Sequence, residues 1–321
     1  MEKNSKIYIA GHSGLVGSAI MRCLQAAGFS NLLIRTHDQL DLLNQQLVND
    51  FFEKENPEYV FLAAAKVGGI GANSTYPADF IYQNTMIGFN VIHSAYKYSV
   101  KKLINLGSSC IYPKMASQPM KEEYLLSDYL EPTNEAYAVA KISVIKLCTF
   151  YNQQYGTNYL SVMPTNLYGP GDNYDPESSH VLPALIRKFH EAKVSGSDRV
   201  ILWGDGSPRR EFLYSDDLAN ALLMLMQNNN ACDLSNPAGD FINVGSGKDI
   251  TIKELAEIIR VAVYDKIPDR TCHIEWDVSK PNGTPQKLLD ISRIADLGFS
   301  PRTSLTEGIK LAYKDFTNNL Y

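Results

Sequence analysis

The chain has 321 residues, of which 45% are hydrophobic and 20% charged, and a formal net charge of -5. That is the make-up of an ordinary globular enzyme large enough for one extended α/β unit or two packed lobes, and it excludes disordered and fibrous classes. The negative balance argues against a nucleic-acid partner, because binding a phosphate backbone needs a dense basic face.

The start, "MEKNSKIYIAGHSG", reaches its first strand within a few residues and has no long apolar core, so no secretion signal is expected. No stretch approaches the ~20 apolar residues that span a bilayer, and no membrane partner is expected. The five cysteines, Cys23, Cys110, Cys148, Cys232 and Cys272, are odd in number and never paired as C-x-x-C. A cytoplasmic chain with free thiols and no metal fits this spacing.

Short β-rich runs alternate with helical stretches through the first half: "KIYIAG", then 15–28; "NLLIRT", then 44–56; "YVFLAAA", then 78–99; and "KLINLGS". This rhythm predicts parallel strands joined by crossover helices. A further helix is predicted over 135–155, followed by a strand in "NYLSVMPTNLYGP". Beyond about residue 170, Gly and Pro punctuate the chain, and "SDDLANALLMLMQ" and "TIKELAEIIRVAV" read as amphipathic helices. The expected fold is α/β: a Rossmann-type doubly wound parallel sheet over 1–167, then a smaller C-terminal substrate-binding lobe over 168–321, with some segments interleaved.

Gly11, Gly14 and Gly17 form a G-x-x-G-x-x-G run between the first strand and the first helix. Such a turn lets a dinucleotide pyrophosphate approach the positive helix end, with Leu15 and Val16 on the same turn. A plain structural turn is the competing explanation. The second strand ends "IRTHDQLDL", where Arg35 and His37 precede Asp38, and Asp41 follows. A basic group there accommodates the extra phosphate of NADP, which favours NADP(H); the alternative is that Arg35 is an ordinary solvated charge.

Tyr137 and Lys141, in "YAVAK", stand four apart and share a helix face, where an ammonium favours the phenolate and lowers the phenol pKa. Ser108 at the end of "KLINLGS" supplies a hydroxyl for the same substrate oxygen. Ser, Tyr and Lys in this order behind a dinucleotide turn resemble the extended short-chain dehydrogenase/reductase superfamily. The motifs "GSSCIYPK", "AAAKVGGI", "YPADFIYQN", "PTNLYGP" and "SSHVLPALIRKFHEA" narrow the resemblance to the GDP-L-fucose synthase family, whose members are GDP-4-keto-6-deoxy-D-mannose 3,5-epimerase-4-reductases. The similarity continues through "INVGSG" and "KPNGTPQKLLD".

The resemblance implies roles. Cys110 and His180 exchange protons at C3 and C5 of a GDP-4-keto-6-deoxy sugar, while Ser108, Tyr137 and Lys141 serve reduction at C4. It places Pro164, Asn166, Leu167 and His180 at the cofactor, and Lys188, Trp203, Arg210 and Asn282 at the nucleotide-sugar. It also implies a homodimer. Arg209 reads as a solvated neighbour, and Trp203 reads equally well as a core aromatic. Cys23, Cys148, Cys232 and Cys272 read as structural, and Cys110 or His180 taken alone as an inert thiol or the start of a helix. Family members commonly carry arginines at positions 13 and 37; here stand Ser13 and His37, which softens NADP discrimination. "KPNGTP" replaces the usual "KPDGTP", so Asn282 offers the nucleotide no charge. A GDP-L-colitose synthase, a 4-reductase of a GDP-6-deoxy-4-keto-heptose and a non-catalytic NADP-binding regulator stay open as alternatives.

Overall fold

The computed structural model describes residues 1–176, 178–265, 272–280 and 282–319. The first half builds β1 (Ile7–Ala10), α1 (Leu15–Ala26), β2 (Leu32–Leu33), α2 (Gln45–Glu55), β3 (Tyr59–Leu62), α3 (Ile70–Thr75), α4 (Pro77–Lys97), β4 (Lys102–Leu106), α5 (Glu135–Tyr155), β5 (Tyr159–Pro164) and β6 (Asn166–Tyr168). Then follow α6 (Val181–Ser195), β7 (Arg199–Trp203), β8 (Arg209–Tyr214), α7 (Ser215–Asn228), β9 (Ser235–Asn236), β10 (Gly239–Val244), β11 (Asp249–Thr251), α8 (Ile252–Tyr264), β12 (His273–Asp277), β13 (Gln286–Lys287), α9 (Ser292–Asp296) and α10 (Leu305–Asn319).

The main sheet runs β2-β1-β3-β4-β5-β10-β9, parallel throughout except for the last pair. Strands β1, β4, β5 and β10 are buried along their whole length because both faces are covered. Side-chain alternation sends Ile7 and Ile9 to a core shared with α1 and α7, and Tyr8 and Ala10 to a core shared with α2, α4 and α5. This is the Rossmann-type doubly wound sheet that the sequence predicts. β2 is shorter than "NLLIRT" suggests: only Leu32 and Leu33 pair with β1. The short helix α3 has no counterpart in the sequence reading.

The chain after residue 167 does not stay apart from this sheet. Strand β10 pairs with β5, and α7 packs on α1 in the first core. The remaining segments form a second core: α6, α8 and α10 pack around β8, which pairs with β6, β11 and β13, while β7 pairs with β12.

Candidate active site

A cleft of about 840 Å³ opens where β1, β3, β4 and β5 end, between the two cores. Strand order reverses at β1, with β2 on one side and β3 on the other, which is the topological position for a ligand in an open α/β sheet.

The glycine turn forms one wall. Gly11 sits at φ +85°, and a Cβ there would lie 2.7 Å from Ala64 N; a Cβ on Gly17 would lie 2.0 Å from Gly11 O. Only glycine permits this turn and the close packing of α1 against it. Helix α1 starts after Gly14 with no side-chain cap and no acid in its first turn, so its free N–H groups face the cleft. Gly11, Ser13, Gly14, Leu15, Val16 and Gly17 all line the cleft. These features fit the pyrophosphate of a dinucleotide.

Arg35, His37 and Asp41 line the same cleft at the end of β2. Arg35 is not a free solvated charge: Nη2 pairs with Glu55 at 2.7 Å, Nη1 donates to Ile34 O at 2.7 Å, and the guanidinium lies 5.2 Å from the Phe51 ring. His37 is exposed, with Nε2 3.7 Å from Asp41 Oδ1.

At the cleft floor stand Ser108, Tyr137 and Lys141. The Ser108 hydroxyl adjoins both the Tyr137 phenol and the Cys110 thiol, near enough to oppose the rise in pKa of each, and it accepts from Cys110 N at 3.4 Å. Lys141 Nζ donates to Leu106 O at 2.9 Å and lies 5.8 Å from the Tyr137 ring centre. Phe80 meets the Tyr137 ring edge to face at 6.2 Å. Here the electrostatics differ from the sequence expectation. Burial pushes the phenol pKa well up instead of the ammonium pulling it down, and burial lowers the Lys141 pKa to about 8. Burial penalises the charged form of each group, and the ammonium directs a proton to the Leu106 carbonyl. A phenol held protonated is a proton donor.

Cys110 lies behind the cleft lining, buried beside Ser108. Burial pushes its thiol up, opposed first by the Ser108 hydroxyl and then by the charges of Lys287 and Lys141. His180 lines the cleft opposite, as the residue preceding α6; its side chain makes no capping bond. It is open to solvent yet surrounded by enough protein that burial lowers its imidazole pKa. Pro164, Asn166 and Leu167 complete the lining, and Asn166 Nδ2 donates to Glu211 O at 2.8 Å, tying β6 to β8.

The four residues assigned to the nucleotide-sugar do not line this cleft but cluster beside it in the second lobe. Trp203 is 64% exposed and therefore no core aromatic. Lys188 Nζ lies 5.8 Å from its ring and donates to Ile201 O at 3.1 Å. Asn282 Oδ1 accepts from Asp205 N at 2.9 Å, ordering the turn after β7 next to Trp203. Arg210 Nη1 donates to Arg209 O at 2.8 Å, and a Cβ on Gly283 would lie 3.6 Å from Arg210 Nη2, so Gly283 adjoins the guanidinium. Arg209 is not a solvated bystander: Nε and Nη2 bind Asp249 Oδ1 at 3.0 and 2.8 Å, joining β8 to β11.

Two cations escaped the sequence reading. Lys280 Nζ lies 5.7 Å from the Trp203 ring, and Lys287 stands in register with Arg210 across β13 and β8, close enough for its charge to act on Cys110. Both flank "KPNGTPQK", which was the available signal.

The model of the NAD dependent epimerase/dehydratase family matches residues 7–245. GDP-L-fucose synthase 1 of Arabidopsis thaliana is 54% identical over 99% of this chain and 95% of its own. The GDP-L-fucose synthase of Escherichia coli is 53% identical over 98% of this chain and 97% of its own. The chain belongs to the GDP-L-fucose synthase family. A solved GDP-mannoheptose C4 reductase from Campylobacter jejuni, with NADP bound, superposes with a TM-score of 0.90 at 42% identity, covering 99% of both chains. The fold and family expectations from the motifs therefore hold over nearly the whole chain.

Proposed function

We propose that this GDP-L-fucose synthase family member is an NADPH-dependent enzyme that inverts C3 and C5 of GDP-4-keto-6-deoxy-D-mannose and reduces C4, giving GDP-L-fucose. The observation that carries the reading is the shared neighbour: the Ser108 hydroxyl stands beside the Tyr137 phenol on one side and the Cys110 thiol on the other, and accepts from Cys110 N. The cleft thus sets a group suited to a carbonyl oxygen next to a thiol just behind its lining, suited to a neighbouring C–H bond.

NADP(H) is held by the Gly11–Gly17 turn, with Arg35 and His37 toward its extra phosphate, Asp41 beside them, and Pro164, Asn166 and Leu167 along the opposite wall. When bound, NADPH supplies the hydride that C4 receives. Tyr137 gives its proton to the C4 oxygen, Ser108 orients that oxygen, and Lys141 restores the proton supply. For inversion, the 4-keto group acidifies C3–H and C5–H; Cys110, as the thiolate that the charges of Lys287 and Lys141 favour against burial, removes a proton, and protonated His180 returns one to the opposite face. The lowered pKa of His180 makes its protonated form a readier donor than free imidazole. Lys188, Trp203 and Arg210 hold the GDP end, Arg210 by pairing with the diphosphate and Trp203 by its flat indole. Asn282 serves this end by shaping the turn beneath Trp203.

In this reading residues 1–167 form the cofactor lobe, completed by α7 and β10, and the rest of 168–321 forms the nucleotide-sugar lobe. The working form is a cytoplasmic homodimer. The family resemblance supports that form, and among the described residues no helix is long and apolar enough to cross a membrane.

A 4-reductase acting on a GDP-heptose is the second reading, favoured by the likeness to the Campylobacter jejuni reductase. The experiment is to supply GDP-4-keto-6-deoxy-D-mannose with NADPH and identify the product by NMR. GDP-L-fucose is the expected product; an uninverted GDP-6-deoxyhexose makes the chain a simple 4-reductase, and no oxidation of NADPH by any GDP-4-keto sugar leaves a cofactor-binding regulator.

A further inference from the structure

The turn that carries Cys110 is weakly held by its own backbone. In Ser109–Ile111, Ile111 N donates to Ser108 O at 3.3 Å and Tyr112 N to Ser109 O at 3.5 Å, while Cys110 N reaches Ser108 Oγ at 3.4 Å. All three bonds lie at the long end of the range. The position of the turn must therefore come from tertiary contacts.

Tyr112, 3% exposed, supplies one. Its phenol donates to Asn243 Oδ1 at 2.5 Å. Asn243 is fully buried on β10; its own N–H donates to Glu122 Oε1 at 3.0 Å, and its amide donates to the carbonyls of Met120 at 3.0 Å and Asp290 at 3.2 Å. Met120 N in turn donates to Leu288 O, and Asp290 N to Met120 O, each at 2.8 Å. Leu288 directly follows Lys287, the cation that acts on the thiol. Every hydrogen-bonding group of the Asn243 side chain is used, and a fully satisfied buried network is rigid.

We infer that Tyr112 and Asn243 form a strut that positions Cys110 for proton removal and fixes the thiol turn against the segment that carries Lys287. Both are positioning residues that do not line the cleft. The inference rests on the reading of Cys110 as the base. Its effect is strongest on inversion because Tyr137 and Lys141 belong to α5 and are anchored elsewhere, with Lys141 tied to Leu106 O. Ser108 caps the start of the thiol turn next to β4, which pairs with β3 and β5, so it is held from the sheet side. Cys110 lies between Ser108 and Tyr112, closer to the strut than to the end of β4.

The test compares wild type, Tyr112→Phe and Cys110→Ser with GDP-4-keto-6-deoxy-D-mannose and NADPH in D₂O. It follows deuterium entry at C3 and C5 and the ratio of inverted to uninverted reduced product. Loss of the phenol proton should slow exchange by about 10- to 100-fold, the scale of a misplacement near 1 Å, and shift the ratio toward uninverted product, with the NADPH Kd unchanged. Wild-type exchange in Tyr112→Phe, or an equal fall in exchange and reduction, overturns the strut. If Cys110→Ser loses exchange while Tyr112→Phe keeps it, the strut alone is refuted; if Cys110→Ser exchanges at the wild-type rate, the reading of the thiol has failed. Amide hydrogen exchange in wild type gives a check that needs no variant: the Ile111 and Tyr112 amides should be protected despite their long bonds, and free exchange there overturns the proposal.

Discussion

Replacing Lys141 by methionine should raise stability while abolishing reduction. Lys141 is 6% exposed, and burial lowers its pKa from 10.5 to about 8. Holding the proton in the folded state at pH 7 therefore costs roughly 3 kcal/mol, at 1.36 kcal/mol per pKa unit. Methionine has a similar length and no charge, but it leaves Leu106 O without the bond now 2.9 Å long, a loss of about 1 kcal/mol. The net expectation is that Lys141→Met is more stable by about 2 kcal/mol at pH 7, as when a buried charge gives way to an apolar side chain. The sign of the pH dependence follows from the direction of the shift. Between pH 8 and 10.5 the unfolded chain binds more protons at this site than the folded one, so wild-type stability rises with pH across that window relative to the variant. Urea denaturation at pH 7.5 and 9.5 measures both effects. A variant less stable than wild type at pH 7.5, or a stability gap that does not narrow at pH 9.5, refutes the burial argument.

Tyr137→Phe should abolish reduction and leave NADPH binding nearly intact, because the ring stays against Phe80 and only the proton donor is lost; residual reduction in a stopped-flow assay means another group protonates O4. Cys110→Ser should slow deuterium entry at C3 and C5 by at least the ~10² of a lost acid-base group, and NMR of the product then shows an uninverted sugar. NADPH should be preferred over NADH by about tenfold, roughly 1.4 kcal/mol, with Arg35→Ala removing the preference. Equal kcat/KM for the two cofactors in wild type contradicts that assignment.

The first lobe was legible because its signals are local. A glycine run between a strand and a helix marked the turn at Gly11–Gly17, and four-residue spacing put Tyr137 and Lys141 on one face of α5, although the effect of burial on the phenol was not legible. β2 misled because the apolar run of "NLLIRT" extends through Ile34, whereas pairing with β1 stops at Leu33 and Arg35 turns to pair with Glu55 and face the cleft. α3 was hidden by its six residues and the glycines at 69 and 71. The place of β10 depends on a contact between Phe241–Val244 and Ser161–Pro164, distant in sequence, and no periodicity encodes that pairing. The roles expected of Cys110 and His180 came only from the family motifs; a thiol after a strand carries no local sign that a hydroxyl will stand between it and Tyr137.

The adjacent arginines show what register adds to composition. In the sequence Arg209 and Arg210 are equivalent, yet consecutive residues of β8 point to opposite faces. Arg209 meets Asp249 and is neutralised. Arg210 turns the other way, donates to a backbone carbonyl, and has its pKa lowered by burial with no carboxylate opposing the shift. Lys287, its neighbour in register, has its pKa lowered by burial too, and the charge of Arg210 adds to that lowering. Two cations brought together out of water repel each other, and among the described residues neither forms an ion pair with a carboxylate. Such a pair gains most from a doubly charged anion with several acceptor oxygens, since one ligand then satisfies both charges at once. A sugar-linked diphosphate meets that requirement. In the function proposed above, such a diphosphate would set its sugar near Cys110, because the charge of Lys287 acts on both the arginine and the thiol.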